Sequence, residues 1–121
     1  MKTNIDKHIG EIQSLIAVAR SITHAVLLTA SPDTGEDTLH VTQLCYAAEC
    51  AGKADELIRN INNSQLRIDT WQHVDNATSL IYLLASAFDK NMSLGMAIPM
   101  FHHIDELLNT AAFNIESGVA A

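Results

Sequence analysis

A chain of 121 residues, 48% of them hydrophobic and only 17% charged, is long enough to bury one core but poor in surface charge, for which about 25% is usual. One domain across residues 1–121 is therefore expected. Fourteen Asp and Glu against seven Lys and Arg leave a net charge of −7, which excludes nucleic acid or an anionic membrane bound through a basic surface. The N-terminal stretch has no apolar signal-type segment, and the uncharged runs are too short and too polar to span a bilayer, so a cytoplasmic location is expected.

The first predicted helix runs from Asn4 to Ala30, capped by Thr3 or Asn4. Ile5, Ile9, Ile12, Ile16, Ala19, Thr23, Val26 and Ala30 alternate at spacings of four and three, a heptad seam. Leu15, Val18, Ile22 and Leu27 widen it to about half the cylinder, beyond the ~100° arc that a surface helix buries. Residues 21–32 contain no charge. The excess points to contact with another protein or with a second copy of this chain in a homodimer, and Ile9, Ile12, Ile16 and Leu27 are the residues expected to make it.

Ser31-Pro32-Asp33-Thr34-Gly35 breaks the chain. A second helix follows from Asp37 or Thr38 to Asn62, with the ladder Val41, Leu44, Ala48, Ala51, Ile58 and Ile61. Its middle is small, and Gly52 there predicts close approach of a neighbouring helix. Cys45 and Cys50 lie about 140° apart on that helix, so they cannot pair within it and read as small interior residues in a reducing compartment.

After the polar linker Asn62-Asn63-Ser64-Gln65, a third helix is predicted from Asp69 or Thr70 to Lys90. Val74, Ala77, Ile81, Leu84 and Phe88 form its ladder, and residues 76–88 carry no charge. Trp71, Tyr82 and Leu83 join the expected partner interface, since aromatic residues are favoured as anchors there. Asn91 to Ile98 reads as an apolar loop within another charge-free run, 91–104. A fourth helix is expected from Pro99, with Phe101, Ile104, Leu108, Ala111 and Ile115 inward and a stop at Ser117-Gly118. The whole predicts an all-α, four-helix bundle-like domain of antiparallel helices joined by short connections.

Chemistry is sparse. No Glu-x-x-His pair of a di-iron bundle is present, nor a P-loop, G-x-S-x-G or G-x-G-x-x-G. His102 and Glu106 share a helix face at i,i+4, the best placed pair for an ion, but a bound metal needs more converging ligands. No catalytic, metal-ligating or cofactor-binding residue is assigned, no cofactor is expected, and the chain reads as a non-enzyme.

Residues 39–88 resemble the small helical anti-activators of bacterial quorum sensing, such as the TraM and QslA proteins. The resemblance rests on Ala-x-x-Ala-Gly-Lys-Ala-Asp-Glu-Leu-Ile at 48–58, a polar linker, and Ser79-Leu80-Ile81-Tyr82-Leu83-Leu84. It implies a small all-α protein, often a homodimer, that binds a transcriptional regulator and blocks its dimerisation or DNA binding. Two other expectations stand beside it: an acidic phage-type inhibitor of a host nucleic-acid-binding complex, and a small metal- or ligand-binding bundle.

Overall fold

The computed structural model describes residues 4–29, 37–61, 64–90 and 94–120, and these form four helices: α1 (Asn4–Thr29), α2 (Asp37–Arg59), α3 (Ser64–Asp89) and α4 (Leu94–Ala120). Helices pack α1 on α2, α2 on α3, α3 on α4 and α4 on α1, with no diagonal contact among the described residues. Neighbours run antiparallel. Thr29 Oγ1 and His40 Nε2 lie 3.3 Å apart where α1 ends and α2 begins. The Arg59 guanidinium near the end of α2 stacks 4.6 Å above the Trp71 ring of α3. Phe88 near the end of α3 meets Phe101 of α4 at a centroid distance of 6.0 Å. Gln13 Nε2 donates to the Ala112 carbonyl at 3.1 Å, and Arg20 Nε donates to Asp105 at 2.9 Å, tying α1 to α4.

The apolar ladders fill the centre. Ile12, Ile16, Ala19 and Val26 of α1, Leu44, Ala48, Ala51 and Ile58 of α2, Val74, Ala77, Ile81 and Leu84 of α3, and Ile104, Leu108, Ala111 and Ile115 of α4 are all buried. Each helix contributes side chains three and four apart, which is what faces a common axis in a near-aligned bundle. The stretch His8–Thr29, which includes Glu11 and Arg20, is long and apolar enough to cross a membrane by length and composition. Its inward residues instead form one wall of the core.

Two helix starts differ from expectation. α3 begins at Ser64 rather than at Asp69 or Thr70, because Leu66 continues the ladder one turn earlier and is buried against Gly118 of α4. Thr70 is no cap: it is fully buried, and its hydroxyl has no hydrogen-bond partner among the described residues. α4 begins at Leu94 rather than at Pro99, so part of the expected apolar loop is helical and Pro99 lies inside the helix. Ala97, fully buried, extends the ladder Ala97–Phe101–Ile104 across the proline. That packing offsets an interior proline, which costs about 3 kcal/mol. α4 also runs through Ser117-Gly118 to Ala120. The Ser31–Gly35 turn, Asn62-Asn63 and residues 91–93 lie outside the described residues.

α2 and α3 make the most extensive helix pair, and α1 and α4 the sparsest. The small middle of α2 explains the first, but Gly52 is not itself required. A Cβ at residue 52 would stand 3.7 Å from the Thr78 methyl of α3, an ordinary van der Waals contact. Gly52→Ala is therefore expected to stabilise the protein by about 0.5–1 kcal/mol, read as a rise in the urea midpoint, because Ala restricts the unfolded chain and fits the native space.

One polar cluster crosses the α2–α3 seam. Arg59 Nε donates to Asp55 at 3.2 Å, and its Nη2 lies 3.7 Å from Asp75. Burial pushes the Asp55 carboxyl above its ordinary range; Arg59 pulls it back down, and Asp75 adds to the rise. A raised folded-state pKa means that the folded protein holds this proton more tightly than the unfolded chain. The group's contribution then favours folding at low pH and is lost as pH climbs past the usual carboxylate range. Relative to wild type, Asp55→Asn is thus expected to gain stability as pH rises, in parallel unfolding titrations. Arg59→Ala, which uncovers Trp71 and strands Asp55, is expected to cost about 1–2 kcal/mol at neutral pH.

Candidate functional site: a groove between α1 and α4

The sparse α1–α4 seam opens into a groove. Thr23, His24 and Leu27 line it from α1, and Phe101, His102 and Asp105 from α4, around a hollow of about 170 Å³. A shallower depression continues past Arg20, Ser21 and Ala17. The register set by Gln13–Ala112 and Arg20–Asp105 carries upward to bring Leu27 and Leu28 level with Ala97 and Ile98. Leu28 is 71% exposed and Ile98 37%. Below the hollow, Arg20 and Asp105 form a two-point pair, Nε to Oδ1 at 2.9 Å and Nη2 to Oδ2 at 3.5 Å, that closes its lower end.

The sequence dictates this composition. Past Arg20 no residue of α1 is charged, and before Asp105 no residue of α4 is charged. Antiparallel packing lays those two runs side by side at one end of the bundle. The floor is apolar, because Phe101 is held by Phe88 from behind and Leu27 packs against the core. Polarity comes from exposed His24 and His102 at the rim, from Thr23, and from Asp105, which is paired with Arg20 at the lower end. The Thr23 hydroxyl is no free nucleophile: it donates back to the Ala19 and Arg20 carbonyls of its own helix, at 3.1 and 3.0 Å. The groove can therefore receive an apolar side chain and hydrogen-bond at its edges.

The residues singled out from sequence fall in different places. Ile12 and Ile16 are fully buried in the bundle's own core, so in this fold they cannot face a partner. Ile9 is half-buried against the same core. Their heptad spacing answers to α2 and α4 of the same chain. Leu27 does line the groove. Trp71 is half-buried on the opposite side, beneath Arg59. Tyr82 and Leu83, 48% and 60% exposed, stand on the outer side of α3, away from the groove. Leu28, Ile98, Phe101 and His24 were not singled out. The signal that marks them is the pair of charge-free runs, 21–32 and 91–104, taken together rather than helix by helix.

His102 and Glu106 are both exposed, and the adjacent Asp105 is engaged by Arg20. Among the described residues no three His, Cys, Asp or Glu are grouped to hold an ion. Cys50 is buried and Cys45 half-buried, both as free thiols on α2. Beside Cys50, the exposed Tyr46 phenol is held above its ordinary range, chiefly by that thiol. Comparison with known proteins finds no family model, no curated protein and no solved structure that matches this chain.

Proposed function

We propose that this protein is a non-enzymatic regulatory interaction module that holds another protein against its α1–α4 groove. The observation that carries this is the hollow itself, with an apolar floor of Leu27 and Phe101. Leu28 and Ile98 are exposed on the same two helices, and the described residues of α1 past Arg20 and of α4 before Asp105 carry no charge. An amphipathic helix of the partner would lie along the seam and seat one apolar side chain in it, as in helix-in-groove recognition. The resemblance of residues 39–88 to quorum-sensing anti-activators makes a transcriptional regulator the partner and its sequestration from DNA the outcome. Direct binding to DNA is not part of the mechanism, because a net charge of −7 repels phosphate.

The test is affinity capture from the producing cells with wild type and with Leu28→Asp/Ile98→Asp, followed by a DNA mobility-shift assay on what is captured. The expected result is a DNA-binding protein held by wild type, lost with the double variant, and released from its operator as wild-type protein is added. Capture that survives the double variant, or a captured protein whose DNA binding is indifferent to this one, would contradict the proposal.

A further inference from the structure

We infer that the same groove docks a second copy of this chain, weakly and about a two-fold axis, with Leu28 of each copy entering the hollow of the other. This rests on the reading of that face as a recognition surface, and adds a regulation: self-association and partner binding exclude each other.

Charge selects the face. The molecule carries fourteen acidic residues against seven basic ones, so two copies meeting at most surfaces oppose like charges. The outer faces of α2 and of the lower halves of α1 and α4 expose Glu49, Glu56, Glu11, Glu106 and Glu116. Among the described residues, α1 past Arg20 and α4 before Asp105 expose none, and Asp105, which lines the hollow, is paired with Arg20. The outer side of α3 around Tyr82 and Leu83 is also uncharged, but those residues take no part in lining the hollow that would receive a side chain. The groove end combines absence of charge with a knob, Leu28, and a hole between Leu27 and Phe101. A two-fold contact needs this self-complementarity, each patch supplying what the other lacks. His24 and His102 at the rim supply hydrogen-bonding edges to the copy.

Size sets the strength. Nine residues of helix rise about 13 Å, and two adjacent helices span about 20 Å, so the face covers roughly 300 Å². A standard interface buries about 800 Å² per partner. The copy is therefore held loosely, with a dissociation constant on the order of 10 μM to 1 mM, and a partner that covers more surface displaces it.

Sedimentation equilibrium on the full chain from about 10 μM to 1 mM tests this. Wild type is expected to rise from the mass of one chain toward two as concentration increases. Leu28→Asp should remain at one chain throughout, with an unchanged circular-dichroism spectrum and melting temperature. Leu28→Gln, which adds no charge to the end of α1, should weaken association about a hundredfold, because each dimer loses two buried leucines. Leu83→Asp, on the exposed side of α3, should behave as wild type. A wild type that stays at one chain to 1 mM, or a Leu28→Asp protein that dimerises like wild type, would overturn the inference. If wild type stays monomeric yet still captures a partner, self-docking alone fails. If it dimerises through Leu28 yet captures nothing, self-docking stands and the partner reading fails.

Discussion

Ile16→Asp is expected to unfold the protein, and Ile12→Asp to do the same. Ile16 is 1% exposed and Ile12 fully buried, both in the apolar cluster at the centre of the bundle. Removing the isoleucine side chain costs about 2–5 kcal/mol in lost burial and cavity. The carboxylate then either ionises in a low-dielectric interior or takes up a proton. A fully buried acid shifts by up to about 3–5 pKa units, each worth 1.36 kcal/mol, which adds about 4–7 kcal/mol at neutral pH. The sum, about 6–12 kcal/mol, equals or exceeds most of the 5–15 kcal/mol that holds a domain of this kind together. Far-ultraviolet circular dichroism at 25 °C should show the helical signal lost or strongly reduced. A folded Ile16→Asp protein with native melting behaviour would mean that the inner seam of α1 faces outward after all.

Phe101→Ala carries the second large effect and links the core to the site. Phe101 is 3% exposed, stacks against Phe88 and forms the groove floor. Truncation of such a side chain costs about 3–5 kcal/mol, including the aromatic contact. For a chain of this length that lowers the melting temperature by on the order of 15 °C. The hollow deepens toward the core, so partner capture should fall as well, whereas Phe101→Leu should keep most of the stability. A shift of only a few degrees for Phe101→Ala would show the ring to be loosely held and the hollow not preformed.

The fold was legible in the sequence because periodicity encodes it directly. Val74, Ala77, Ile81, Leu84 and Phe88, or Ile104, Leu108, Ala111 and Ile115, can form only one apolar stripe each, and four stripes make a bundle. Helix starts were less legible. Asp69, Thr70 and Pro99 are residues that caps and first turns favour, yet Leu66 and Ala97 found partners one turn earlier and tertiary packing carried the helices past those signals.

The site was half legible. A charge-free run announces that surface is being kept for something, and runs 21–32 and 91–104 said so. A broad apolar arc on one helix does not say which of its edges meets a neighbour. Ile12 and Ile16 looked like surplus because the helices that cover them are distant in sequence. Leu28 and Ile98 looked ordinary because the antiparallel register that aligns their two helices is set elsewhere, at Arg20–Asp105 and Gln13–Ala112. Tyr82 and Leu83 are exposed as an interface residue must be, but they belong to α3 and share no hollow with Leu27.

The central claim is that recognition runs through the α1–α4 groove end and not through α3 or the buried seam of α1. Site-specific photo-crosslinking in the producing cells tests it whatever the partner's identity. A photoreactive residue is placed in turn at Leu28, Ile98, Leu83 and Phe113, all exposed. Adducts are expected from positions 28 and 98, to a second copy or to a partner protein, and none from 83 or 113. Adducts from position 83 or 113 with none from 28 and 98 would contradict the account.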